Sequence, residues 1–133
     1  MSHTAGQNTT TTRAVVSAGY EAAKAGDMAA STAILHPAVT LHEAASLPNG
    51  GVHRGLQNVL QALTFVFETF DMSRLTVDDL IVDGEMAVGL VSLRFRGSEG
   101  RATVAEVWRV RDDRVVEIKP FYYDTAAIVS ATS

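Results

Sequence analysis

Hydrophobic positions along this chain recur with helical spacing up to about residue 70 and alternate with polar ones from about residue 74 onward. In the first part, Val15, Ala18, Gly19 and Ala22 form one stripe, and Val16, Tyr20 and Ala23 form a neighbouring one. That spacing predicts a helix over Thr12–Ala25. Gly26 suits a left-handed helix end and Asp27 suits the cap of a second, short helix over Met28–Leu35. Pro37 then drives His36 out of the α region and ends it. The clearest helical stripe is Leu56, Val59, Leu60, Leu63, Phe67 and Phe70, which predicts a third helix over Leu56–Phe70. Between the second and third helices, Val39–Glu43 alternates as a strand, and Pro48-Asn49-Gly50-Gly51 marks a turn in the loop Ala44–Gly55.

After Arg74 the period is two. Leu75–Val82 and Glu85–Arg96 are joined by the hairpin signal Asp83-Gly84, and Arg101–Val110 and Arg114–Tyr123 by a turn holding Asp112-Asp113. Helices first and successive antiparallel strands afterwards predict an α+β fold. Its curved mixed or antiparallel sheet wraps on three N-terminal helices as a cone and encloses a pocket between them. No repeat or second domain is visible. The expected division is a flexible polar tail over 1–12, a single domain over 13–126 and a C-terminal tail over 127–133.

Composition narrows the class. At 133 residues, 47% hydrophobic and 20% charged, the chain reads as an ordinary soluble domain able to bury a core without staples. A net charge of −4, with no Lys/Arg cluster, argues against a nucleic-acid partner. Charged residues interrupt every apolar segment, so no membrane span is expected. There is no Cys, and Met1–Thr12 lacks the basic and apolar regions of a secretory signal, so a cytoplasmic location is the default.

Candidate chemistry comes from two misplaced carboxylates. On the first strand Glu43 shares a face with Val39, Leu41 and Ala45, while Thr40 and His42 point the other way. On the third of the later strands, Glu106 shares a face with Val104, Trp108 and Val110. The last strand is expected to send Val116, Ile118, Tyr122 and Asp124 inward and Glu117 and Lys119 to solvent. Two carboxyls in one apolar cavity repel when both are charged, which splits them into an acid and a base. The competing reading is a hydrogen-bonded buried pair that only specifies the core. His42 and Asp124 are secondary catalytic candidates. Tyr20, His53, Trp108 and Tyr122 are candidates for substrate binding, with His53 at the pocket mouth. His42 and Glu43 point to opposite faces, so no metal site is expected. Val88 and Leu90 make their strand apolar on both faces, which predicts a homodimer across the sheet.

Ala25-Gly26-Asp27, the segment Leu35–Glu43 (LHPAVTLHE), Arg54-Gly55 and the strand ending Glu106-Val107-Trp108-Arg109-Val110 resemble the ketosteroid-isomerase-like, or SnoaL-like, branch of the nuclear transport factor 2-like superfamily. The resemblance spans about Ala14 to Tyr123. It implies a cystatin-like α+β cone, usually dimeric, with one deep apolar pocket. Against a steroid isomerase, Glu43 falls on the proton-shuttling carboxylate and Glu106 on the carboxyl that hydrogen-bonds an oxyanion. The oxyanion tyrosine falls on Gly19, with Tyr20 one position away, so the nearer resemblance is to SnoaL-like polyketide cyclases. It implies a cofactor-independent cyclase or isomerase acting on a small hydrophobic, oxygenated molecule. The alternatives are an epoxide-opening enzyme and a non-catalytic ligand-binding or assembly module.

Overall fold

The first helix is longer than its hydrophobic stripe. The computed structural model describes residues 5–133, and in it α1 runs over Ala5–Ala25. The polar tail expected over 1–12 is thus helical from Ala5, and its first four residues lie outside the described ones. Threonine is a weak helix former, but here the β-turn at Gly84 holds the threonines in place. The Thr12 hydroxyl donates to Gly84 O at 2.7 Å, Gly84 N donates to the Thr9 hydroxyl at 2.9 Å, and Thr12 is 1% exposed. Gly26, at φ 69°, ends α1, and the Asp27 carboxylate accepts from Ala30 N at 3.0 Å to start α2 (Met28–Ala33).

The chain then forms β1 (Leu35–Glu43) and β2 (Gly51–Arg54), an antiparallel pair in which Glu43 opposes Gly51. The second helix is shorter than expected because β1 begins at Leu35. Next come α3 (Leu56–Thr69), a short 3₁₀ turn (Met72–Arg74), and four strands: β3 (Thr76–Asp83), β4 (Met86–Arg94), β5 (Arg101–Arg111) and β6 (Arg114–Tyr122). The β5–β6 turn places Asp112 and Asp113 at φ 52° and 64°, as a two-residue hairpin with the twist of its strands requires. The sheet order is β2-β1-β6-β5-β4-β3, and only β1–β6 is parallel, so the sheet is mixed. Register shifts in β3–β4 and β5–β6 bend it around the helices.

One shift changes which residues face inward. Arg109 pairs with Glu117 and Val110 with Val115, so Val116 is the extra residue of a bulge. Val115 is therefore fully buried, in place of the expected Val116. Most of the stretch expected as a tail over 127–133 is helical: α4 (Thr125–Ala131) packs Ile128 into the core at 1% exposure. Among the described residues, no helix is long and apolar enough to cross a membrane.

Candidate active site

Strand periodicity delivers the first carboxyl. Val39, Leu41 and Glu43 lie on the inner face of β1 at 0%, 1% and 6% exposure. A carboxylate so enclosed needs partners. Its Oε2 accepts from Asn49 Nδ2 at 3.0 Å, while Oε1 is buried with no hydrogen-bond partner. Burial, opposed by the Asn49 hydrogen bond and reinforced by the nearby Glu106 charge, pushes the Glu43 carboxyl up to about 7.

The second carboxyl comes from β5, where Glu106 sits between Gly89 of β4 and Pro120 of β6. Tyr20, from α1, donates its hydroxyl to Glu106 Oε1 at 2.8 Å and accepts from Trp108 Nε1 at 2.9 Å. The Tyr20 and Trp108 rings meet edge to face, with centroids 5.4 Å apart. Since indole N–H can only donate, the phenol proton of Tyr20 is committed to Glu106. Burial, partly offset by that bond, pushes Glu106 up to about 7 as well. Burial and the neighbouring carboxyls raise Tyr20 and Tyr122, which keeps both phenols protonated as donors. Tyr122, from β6, faces the charge of both carboxyls, and its hydroxyl approaches Glu43 as a donor without reaching hydrogen-bond length.

These groups share a cavity of about 90 Å³ lined largely by aliphatic and aromatic side chains of α1, α3 and the sheet, and among the described residues no Arg, Lys or His lines it. That volume is several times the roughly 10–15 Å³ one water needs, so an organic group fits against the carboxyls. The charge of Glu106 adds to the upward push of burial on Glu43.

The structure brings together Glu43, Glu106, Tyr20, Trp108 and Tyr122. It does not bring in the other three candidates. His42 lies on the outer face of the sheet, its Nε2 3.9 Å from Glu117 Oε1, because it is one residue out of phase with Glu43. His53 is a β2 residue opposite Leu41 whose Nε2 bonds Asn49 O at 2.7 Å, so it supports a loop and does not line the cavity. Asp124 is exposed and caps α4, accepting from Ala127 N at 3.2 Å. Ala45 is likewise exposed, beyond the end of β1.

Two residues of the site, Asn49 and Gly89, are not among the sequence candidates. Asn49 counted as part of a turn, and nothing in its spacing says that it reaches Glu43. Gly89 carried a signal, being a glycine inside a strand on the inward phase between Ala87 and Val91. A Cβ there would collide with the Tyr20 hydroxyl, so only glycine leaves room for the phenol to meet Glu106.

A family model for the SnoaL-like domain matches residues 16–118. A search of curated proteins gives no match. Among solved structures, the chain is similar to a protein of unknown function with a cystatin-like fold from Xanthomonas campestris, at TM-score 0.79 and 24% identity, covering 90% of this chain and 96% of that one. It is also similar to a protein described as a candidate ketosteroid isomerase from Kribbella flavida, at TM-score 0.71 and 23% identity, covering 88% and 81%. A third is TerC co-crystallised with polyporic acid, at TM-score 0.75 and 20% identity, covering 92% and 99%. At these identities the likeness is one of fold. The match of the family model over most of the chain goes further: the chain belongs to the SnoaL-like domain family, within the nuclear transport factor 2-like superfamily.

Proposed function

We propose that this cavity is the active site of a cofactor-independent acid/base enzyme for a small hydrophobic, oxygenated molecule, a cyclase or isomerase. The observation that carries this reading is the pair of carboxyls, both held near pH 7 in one apolar cavity. At neutral pH the dominant working form holds one proton on the pair, so one member is a base while the other is an acid. Glu43 is the base in this reading, because its Oε1 has no donor at hydrogen-bond length, whereas Glu106 Oε1 already accepts from Tyr20. It takes a proton from a carbon next to a carbonyl. Glu106 donates to the carbonyl oxygen as charge develops there, with Tyr20 fixed on its other oxygen. The resulting enol or enolate then attacks within the molecule or is reprotonated at a different carbon. Ser31 Oγ, buried and unpartnered on the cavity wall, offers a hydrogen bond to a ligand oxygen.

Exchange of α-protons into D₂O, followed by NMR with a panel of small cyclic ketones, tests this without the natural substrate. The parent protein is expected to speed exchange with a bell-shaped pH profile centred near 7. Exchange no faster than with an equal concentration of acetate would refute the enzymatic reading and leave a binding module.

We also propose that the protein is a homodimer through the outer face of its sheet. Asp79, Leu90, Ala105 and Phe121 form one cross-strand row there, and Ile81, Val88, Val107 and Lys119 the next. Ile81, Leu90 and Phe121 are 54%, 39% and 53% exposed. The face is acidic at its β3 edge and carries Lys119 on β6, so a second copy related by a two-fold axis lays Asp79 over Lys119. Sedimentation at micromolar concentration should give a dimer, and Leu90→Asp a monomer with its cavity intact. A parent protein that sediments as a monomer contradicts the proposal.

A further inference from the structure

We propose that Asn49 is the positioning residue of Glu43, fixing Oε1 as the one oxygen through which that carboxyl exchanges protons. The inference rests on the reading of Glu43 as the base. Both N–H bonds of the Asn49 amide are used, one to Glu43 Oε2 at 3.0 Å and one to Ala62 O of α3 at 3.2 Å. Both partners are acceptors, so rotating the amide would set Asn49 Oδ1 against two oxygens, and its orientation is unambiguous.

The Asn49 backbone is held independently. Its carbonyl accepts from His53 Nε2, which fixes the proton of that imidazole on Nε2. The turn before it is closed by Leu47 N on Ala44 O at 3.0 Å and Gly50 N on Leu47 O at 2.9 Å, with Leu47 itself 5% exposed. Asn49 is absent from the cavity wall and stands behind the carboxyl.

The consequence is chemical. When Glu43 is protonated, the oxygen that accepts from Asn49 is the carbonyl one, so the proton sits on Oε1. When Glu43 is ionised, Oε1 carries the free lone pairs. Either way proton traffic passes through the unpartnered oxygen. Asn49 Oδ1 is itself buried without a partner, a loss that a residue present only for packing would not carry. Of the titratable groups acting on Glu43, Glu106 raises it by its charge and the Tyr122 hydroxyl lowers it; the Asn49 bond is the larger of the two that oppose the upward push of burial.

The test is a ¹³C-carboxyl NMR titration of the full chain, with the Glu43 signal assigned by its loss in Glu43→Gln. In Asn49→Leu the Glu43 midpoint should rise by about one pH unit, a tenfold fall in its ionised-to-protonated ratio at fixed pH. His53→Phe, which loosens the anchor without touching the carboxyl, should move it the same way by less. A folded Asn49→Leu protein with an unmoved Glu43 midpoint overturns the proposal. Should Asn49→Leu not fold, an unmoved or lowered midpoint in His53→Phe does so. The titration needs no turnover, so a parent protein inactive in ketone exchange would refute the enzymatic reading and leave this one standing.

Discussion

Replacing Glu43 with Gln is expected to abolish proton exchange and, at pH 8, to make the protein more stable. The two effects share one cause. The activity loss should reach about 10²–10⁴-fold, the usual contribution of a positioned base. The stability gain follows from the carboxyl's raised titration. Between its ordinary value of 4.5 and its folded value of about 7, the folded chain holds a proton that the unfolded chain has released. Stability therefore falls as pH rises through that window, by about 3 kcal/mol once pH exceeds 7. Glutamine keeps an oxygen for Asn49 Nδ2 and places an uncharged amide where Oε1 stood. Thermal melts should show a midpoint raised by roughly 6–12 °C at pH 8 and little change at pH 4.5. A variant no more stable than the parent at pH 8 would mean that Glu43 is not held in a costly state. Unchanged exchange together with an unchanged melting point would mean that the carboxyl is idle.

Alternation placed Glu43, Glu106, Trp108 and Tyr122 on the inner face, because each strand keeps period two over the residues that matter. It failed at Val116, where one extra residue in β6 shifts every side chain before it to the other face. It failed at Asp124, which lies beyond the end of β6. At the N-terminus, weak threonine propensity hid a helical turn that depends on hydrogen bonds to Gly84. His53, expected at the pocket mouth, is instead a strand residue opposite Leu41 whose ring nitrogen bonds Asn49 O. Tyr20 was legible as a pocket candidate on the first helix, but not as the partner of Glu106. That its hydroxyl reaches Glu106 depends on what β4 leaves open, and this is a property of the fold.

Gly89→Ala should therefore damage the site more than an added methyl ordinarily would. The new Cβ occupies the place of the Tyr20 hydroxyl, and that ring cannot swing away freely. It is 5% exposed, bonded at its oxygen to Glu106 and Trp108, and packed edge-on against the indole. Overpacking alone costs about 1–3 kcal/mol. Loss of the hydrogen bond to Glu106 adds about 1.5–3 kcal/mol whenever that carboxyl is ionised. Denaturation at pH 8 should show a loss of roughly 3–5 kcal/mol, with Trp108 fluorescence altered as its N–H loses Tyr20. A double-mutant cycle distinguishes this collision from a general intolerance of alanine in β4. Tyr20→Phe removes the colliding oxygen and sacrifices the same bonds but leaves ring carbon Cζ 2.9 Å from the new Cβ, so Gly89→Ala should cost less, though still something, in that background. Strict additivity would show that Gly89 and the Tyr20 hydroxyl do not compete for the same space. In that event the carboxyl of Glu106 would owe its placement to β5 alone.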